Sequence, residues 1–336
     1  ASGQAATVSN NIIGGTTTNS INNTATATSS RIIGIQNDLP FATITGNTIR
    51  NFTMSAPNVG TGTSASVVGI LQSATSTSGN HLISLNTIHT LKNTNASSAV
   101  WVTGINATGP TSTTTITYSN NLIHSLGFSS TTAQINGINI TGGTALYANN
   151  MIRLGIDDSG SDINVGGIIN GINETVGTNN FYFNSIYIGG SAVSNGSSNT
   201  FALNSSITVN ARNYLNNIFY NARSNSGSTG KHYAIKVGGS GTNPTGLTIN
   251  YNDYYVTGTG GFVGQYNAID QTTLADWRTA IGQDCNSISG DPKYINQNGS
   301  ASTIDLHISA SLASVVEAGG TNISSITQDF DNQTRS

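Results

Sequence analysis

The densest group of carboxylates in the chain is Asp157-Asp158-Ser-Gly-Ser-Asp162. Oxygen ligands at that spacing suit Ca2+, which gathers about six to eight of them. No Glu closes the set, and a solvated Gly/Ser turn accounts for the same residues. Weak Ca2+ binding near Asp157, Asp158 and Asp162 is therefore the one cofactor the sequence leaves open. Inverting hydrolysis of a glycosidic bond needs two carboxylates about 6.5–9.5 Å apart, and polysaccharide elimination needs acidic Ca2+ ligands beside a cationic base. The 14 Asp and Glu are spread too thinly for either, so no catalytic residues are expected. The 5 histidines (His81, His89, His124, His232 and His307) lack metal-ligand spacing. Cys285 stands alone, which excludes a disulfide framework and a thiolate metal site.

Composition narrows the classes further. Asn, Thr, Ser and Gly supply 171 of 336 residues, and only 7% are charged, against about a quarter in ordinary soluble proteins. A net charge of −3 with 11 Lys+Arg leaves no basic surface for phosphates, so nucleic acid is not an expected partner. No run approaches the ~18 apolar residues of a membrane span, so no membrane insertion is expected. Disorder would suit so much Ser, Gly and Asn, but 36% of the residues are hydrophobic and they recur on a schedule.

That schedule is a repeat of about 34 residues. Ala6–Ile13, Ala42–Ile49, His81–Ile88, Ile116–Ile123, Ala145–Ile152, Asn179–Ile186, Arg212–Phe219 and Leu247–Tyr254 align on a shared asparagine: Asn11, Asn47, Asn86, Asn121, Asn150, Asn184, Asn217 and Asn252. Three residues before it the chain is apolar or aromatic (Val8, Ile44, Ile83, Tyr118, Tyr147, Phe181, Tyr214, Ile249), and two after it likewise. Alternation within a strand explains each column, but their spacing of five requires a turn near the Asn. A second motif recurs midway, as in Ile33-Gly-Ile35, Asn136-Gly-Ile138 and Tyr233-Ala-Ile235. Its small residue suits a corner where the backbone bends or is closely approached. The expected fold is an all-β parallel solenoid of about eight coils over residues 1–258. The asparagines form an amide ladder at an inner corner, because Asn tolerates turn dihedrals and both donates and accepts. Variable stretches such as Ala56–Ser66 are exposed turns.

The period lapses near residue 259. Thr273 and Asp276 make a capping box, Leu274, Trp277 and Ile281 share a helical face, and Gly282 is a stop signal. Residues 259–336 are therefore expected to cap the last coil with one short helix. The N-terminal coil shows no such cap and could stack on another chain. Three residues after each ladder Asn, from the second coil onward, stand Arg50, His89, His124, Arg153, Tyr187, Tyr220 and Tyr255. Next to a buried column they should point outward as a stripe of cations and rings. Such a stripe could stack on a glycan or anchor a surface protein, or it could simply stabilise a sheet face. An ice-binding Thr array is not expected, because the Thr7/Ser9 and Thr43/Thr45 pairs give way to Leu146/Ala148 and Asn180/Tyr182.

The repeat resembles the right-handed parallel β-helix repeat proteins of bacterial surfaces. The tail is similar to that of large secreted β-helix proteins of the Bacteroidetes. It matches them in Thr273-Leu-Ala-Asp-Trp277, Gln283–Ile288, Asp291-Pro-Lys-Tyr-Ile-Asn296, Asp305-Leu-His-Ile308 and Asp329-Phe-Asp-Asn-Gln-Thr-Arg335. Asn332 stands where the family has Gly, and Ser336 where it has Pro. The resemblance implies export by type IX secretion, a secreted or cell-surface location and, since no sorting domain follows, truncation or processing. On this reading the chain is a non-catalytic extracellular stalk, surface fibre or adhesin. A polysaccharide-binding or polysaccharide-cleaving β-helix is the alternative, and a self-assembling filament module the third.

Overall fold

A computed structural model describes residues 5–74, 80–110 and 116–335; Ser336, in the terminal motif, lies outside the described residues. Each repeat gives one strand to each of three parallel sheets. The first runs from Ala5–Ser9 and Phe41–Thr45 to Leu247–Asn250, and the second from Ile12–Ile13 and Thr48–Met54 to Asp253–Val256. The third runs from Ile32–Asn37 to Gly261–Tyr266, where Ile269–Gln271 closes its edge antiparallel. The fold is thus the expected all-β parallel solenoid, of about seven turns.

The apolar columns are its interior. Ile83, Tyr147, Phe181 and Tyr214 from the first sheet meet Ile88, Ile152, Ile186 and Phe219 from the second, all at 0% exposure. Like residues stack coil on coil: the rings of Tyr118 and Tyr147 lie 4.8 Å apart, and those of Tyr147 and Phe181 4.9 Å apart.

The turn between the two columns is made by the residue before each ladder Asn, not by the ladder Asn itself. Asn10, Gly46, Leu85, Asn120, Asn149, Phe183, Asn216 and Tyr251 take φ between 53° and 67°. For Leu85, Phe183 and Tyr251 this left-handed conformation costs roughly 1–2 kcal/mol. The ladder offsets that strain. Both the backbone N–H and Nδ2 of Asn86 donate to Asn121 Oδ1 (3.1 and 3.0 Å), and Nδ2 also donates to Ile44 O at 2.9 Å. The same reach to the next asparagine recurs from Asn11 to Asn252. Beyond Asn252 a ninth rung follows, because its N–H donates to Ser287 Oγ at 2.8 Å.

The mid-repeat small residues differ from expectation in place. They lie inside the strands of the third sheet rather than at a corner, and close approach alone demands them. A Cβ on Gly104 would stand 2.6 Å from both Gly137 O and Ile123 Cγ2, and a Cβ on Gly69 would meet Gly104 O and Ile88 Cγ2 at the same distance. Where the motif carries Ala202 and Ala234, the opposing isoleucine column has become Phe219 and Tyr254.

At the C-terminal end, Leu274–Ile281 is the expected helix, with its capping box on Thr273 and Asp276 and Gly282 at φ 71°. Trp277 packs over Gly264, which is in register with Ile235 of the preceding strand, and its Nε1 donates to Asp284 Oδ2 at 2.7 Å. Tyr254 OH donates to the same oxygen at 2.6 Å. The chain then leaves the end of the rod and doubles back along its side. Tyr294–Asn296 pairs antiparallel with Asp305–Ile308. Thr321, Gln328 and Asp329 then meet Asn216, Asn149 and Asn120 in that order, each accepting from the asparagine Nδ2 at 2.8 Å.

Candidate functional site

The column three residues beyond the ladder lies on the second sheet and is in register throughout. Arg50 pairs with His89, His89 with His124, His124 with Arg153, Arg153 with Tyr187, Tyr187 with Tyr220, and Tyr220 with Tyr255. The imidazoles of His89 and His124 stack at 4.8 Å and 3°. Tyr187 and Tyr220 meet edge to face at 4.9 Å, and the Tyr220 and Tyr255 rings are tilted by 49° at 4.7 Å. The seven side chains therefore form one continuous file, as their spacing predicts.

They do not form an open stripe. Arg153 is 0% exposed, His124 1%, Tyr187 4% and Tyr220 8%. The column does face away from the solenoid core, but the returning C-terminal segment covers it. Arg153 Nη2 donates to Gly299 O at 2.8 Å and Nη1 to Ile156 O at 2.8 Å. Tyr187 OH donates to Asn298 Oδ1 at 2.9 Å, and the Tyr294 ring stands edge-on to Tyr187 at 6.5 Å. Together with Met151, Ile218 and Leu306 these rings make a second apolar cluster outside the main core. The cause is physical: a sheet face carrying Met151, Tyr187, Ile218 and Tyr220 is too apolar to leave in water, so chain folds onto it. Only Arg50, His89 and Tyr255 remain partly exposed.

Burial sets the charge state of the file. His89 is pushed down to about 4 by desolvation and then by Arg50, with Asp158 opposing. His124, between His89 and Arg153, is held well below the usual imidazole range by burial and those two neighbours. The Arg153 guanidinium is lowered to about 10 by burial. Two stacked neutral imidazoles lie against a backbone-bonded arginine and brace this sheet face.

The Asp157–Asp162 loop braces the same cover. Asp157 Oδ1 accepts from the backbone N–H of Ser159 and Ser161, both at 2.9 Å, and Asp162 accepts from Ser191 N at 3.0 Å. Asp158 O takes the N–H of Ala301 at 2.9 Å. Among the described residues, no three His, Cys, Asp or Glu side chains are grouped to hold a metal ion.

Three ionisable groups that sequence reasoning passed over are fully buried. Glu174 accepts from Asn179 Nδ2 at 2.8 Å and from Tyr214 OH, and burial raises its pKa. Arg212 donates to the carbonyls of Asn210 (2.9 Å), Thr245 (3.1 Å) and Gly238 (2.9 Å). Arg223 donates to Gly189 O at 3.3 Å and Val165 O at 2.7 Å. Nothing periodic marked them, because each braces one local irregularity. The tail's anchors did leave a signal: Asn120, Asn149 and Asn216 are the first members of Asn-Asn pairs in the repeat.

Between the returning segment and the ladder corner lies a cavity of about 1090 Å3, with Asp253, His307, Phe330 and Arg335 among its walls. Asp253 Oδ1 accepts from Gly290 N at 3.0 Å, while Oδ2 is buried without a donor. Desolvation, opposed by the Gly290 N–H and reinforced by Asp291, pushes this carboxyl up to about 7. His307 lies 2.6 Å from Asp305 and 2.9 Å from Asp331, and Arg335 stacks on Phe183 at 3.8 Å. These contacts hold the tail down. Comparison with protein-family models, curated proteins and solved structures returned no match.

Proposed function

We propose that this chain is a rigid, non-catalytic β-helix working outside the cell, as a stalk or adhesive module of the secreted Bacteroidetes type exported by type IX secretion. The observation that carries the reading is the ladder, unbroken from Asn11 to Ser287. A file of buried amides, each bonded to the coils on both sides, ties every coil to the next and resists both bending and proteolysis. The buried arginines add to this, since Arg153, Arg212 and Arg223 all donate to backbone carbonyls.

Pulling single molecules from their two ends tests it. A stalk yields only at high force and in steps of one coil or more. A chain that extends smoothly at low force is no stalk. Incubation with a panel of acidic and neutral polysaccharides is the companion assay. Appearance of reducing ends or unsaturated products would replace this reading with the enzymatic one. Fractionation of cells bearing the full gene product tests the surface location.

A further inference from the structure

The outer face of the third sheet carries amides of its own. Gln134–Ile140 and Ile168–Glu174 both contain Asn-Gly-Ile-Asn, and the strand register files Thr103, Asn136, Asn170 and Phe201 in one column. Asn106, Asn139, Asn173, Asn204 and Lys236 form the next. Both columns face away from the core: Val68 and Leu71, which precede Thr103 and Asn106 in register, belong to a small cluster separate from the interior. Along each column one amide donates to the amide before it. Asn170 Nδ2 reaches Asn136 Oδ1 at 2.9 Å; Asn139, Asn173 and Asn204 reach Asn106, Asn139 and Asn173 at 2.7, 2.8 and 3.0 Å.

Both files stop in neighbouring strands. After Asn170 the column continues with Phe201, which has nothing to donate. After Asn204 it continues with Lys236, whose Nζ lies over the Phe201 ring, 5.6 Å from its centre. Asn170 Oδ1 and Asn204 Oδ1 are consequently buried acceptors with no donor, and Asn170 is only 1% exposed. Each such oxygen costs about 1–3 kcal/mol while unmet. The two asparagines line a groove of about 430 Å3 that also takes in Trp101, Phe201 and Gln265.

We propose that this groove binds a neutral polysaccharide: sugar hydroxyls donate to Asn170 Oδ1 and Asn204 Oδ1, and the C–H face of a ring packs on Trp101. Uncharged acceptors call for uncharged donors, an aromatic surface beside them suits the apolar face of a sugar ring, and the one lysine in the lining is engaged with Phe201. The site lies on a different sheet from the Arg/His/Tyr file. It deepens the adhesive half of the function proposed above and rests on it.

Trp101 is partly exposed in the groove, whereas Trp277 is 0% exposed in the cap, so a ligand-induced change in tryptophan emission reports the groove. The full chain is titrated with cellohexaose, xylohexaose, maltohexaose and, as the acidic arm, hexagalacturonate. At least one neutral hexasaccharide is expected to shift the emission saturably at millimolar concentration or below. Asn204→Ala should weaken that binding at least tenfold by calorimetry without moving the melting temperature by more than a few degrees. Trp101→Ala, at a more exposed position, should weaken it as much and serves if Asn204→Ala misfolds. No response to any neutral sugar, preference for hexagalacturonate, or undiminished binding by the variants overturns the proposal. A null titration on a rod that still resists force removes the groove and leaves the stalk; a rod that yields at low force removes the stalk whatever the sugars do.

Discussion

A ladder asparagine does more than its neighbours because its position asks for two donors and an acceptor together. Asn150 is 0% exposed; its N–H and Nδ2 donate to Asn184 Oδ1 at 3.0 and 2.9 Å, and its own Oδ1 receives both donors of Asn121. Asn150→Ala strands the Asn121 donors in the interior, at about 1–3 kcal/mol each, so a loss of about 3 kcal/mol or more is expected in urea unfolding. Asn11→Ala, at the exposed end of the file, should cost under about 1 kcal/mol. Equal losses at both sites would mean the ladder is not what orders the coil. Asp253 gives a second prediction at this scale. Its folded carboxyl holds a proton up to about 7 against 3.8 when unperturbed. The unfolded chain therefore releases that proton first, and stability falls as pH rises from about 4 to 7, with the full penalty present above 7. Asp253→Asn keeps an acceptor for Gly290 N and removes the penalty. Its urea midpoint should match the parent at pH 4 and exceed it at pH 8, by an amount worth about 2–4 kcal/mol. Parallel pH curves for the two proteins would show that the carboxyl is ionised in the fold.

The unit of this molecule is the coil, and what closes a coil is the contact between the small-residue column and the isoleucine column. Gly104→Ala places a methyl group 2.6 Å from Ile123 Cγ2 and from Gly137 O, an overpacking expected to cost about 1–3 kcal/mol. Ile123→Val retains that Cγ2 methyl and should not help, whereas Ile123→Ala removes it and should recover part of the loss. A double-mutant cycle reads the coupling directly, and additive losses would place the strain in the Gly137 carbonyl instead. The coil was legible in the sequence for a clear reason: stacking in register repeats every demand each turn, so Asn86, Asn121 and Asn150 or Ile88, Ile123 and Ile152 show the demand as a column. The reading failed where that logic needs a second fact. Gly and Ala in the mid-repeat suit a corner by their size alone, and only the packed isoleucine shows why they stand within a strand. The spacing places a turn near the ladder Asn but not on a particular residue; the preceding position, occupied by Asn10, Gly46, Asn120, Asn149 and Asn216 among others, takes the left-handed conformation. The ninth rung stands in the sequence as Asn286-Ser287-Ile288, 35 residues after Asn252, with serine in the place of the ladder asparagine.

At the scale of the whole molecule the tail decides which faces of the rod meet water, and nothing periodic could foretell its path. Phe330 O and Asn120 Nδ2 are 210 residues apart in the chain and 2.8 Å apart in space, and such a contact leaves no column to align. The consequence for the Arg/His/Tyr file is direct. Residues from Gly290 onward cover Met151, Tyr187, Ile218 and Tyr220, and supply the Gly299 carbonyl to Arg153. Ending the chain after Ser289 keeps the ninth rung and the helix but bares that face. Re-exposing two such side chains at about 1.5–3 kcal/mol each gives an expected loss of at least about 3 kcal/mol, with the strand signal in circular dichroism retained. The bared patch should also bind a hydrophobic dye and drive association in size-exclusion chromatography, because contiguous apolar surface of that kind finds a partner. Tyr187→Ser in the shortened chain should reverse part of the association and none of the lost stability, separating a sticky surface from a weakened rod. A shortened chain that stays monomeric, dye-free and equally stable would show that the coils alone hold the second sheet, and that the tail lies on a face able to stand in water without it.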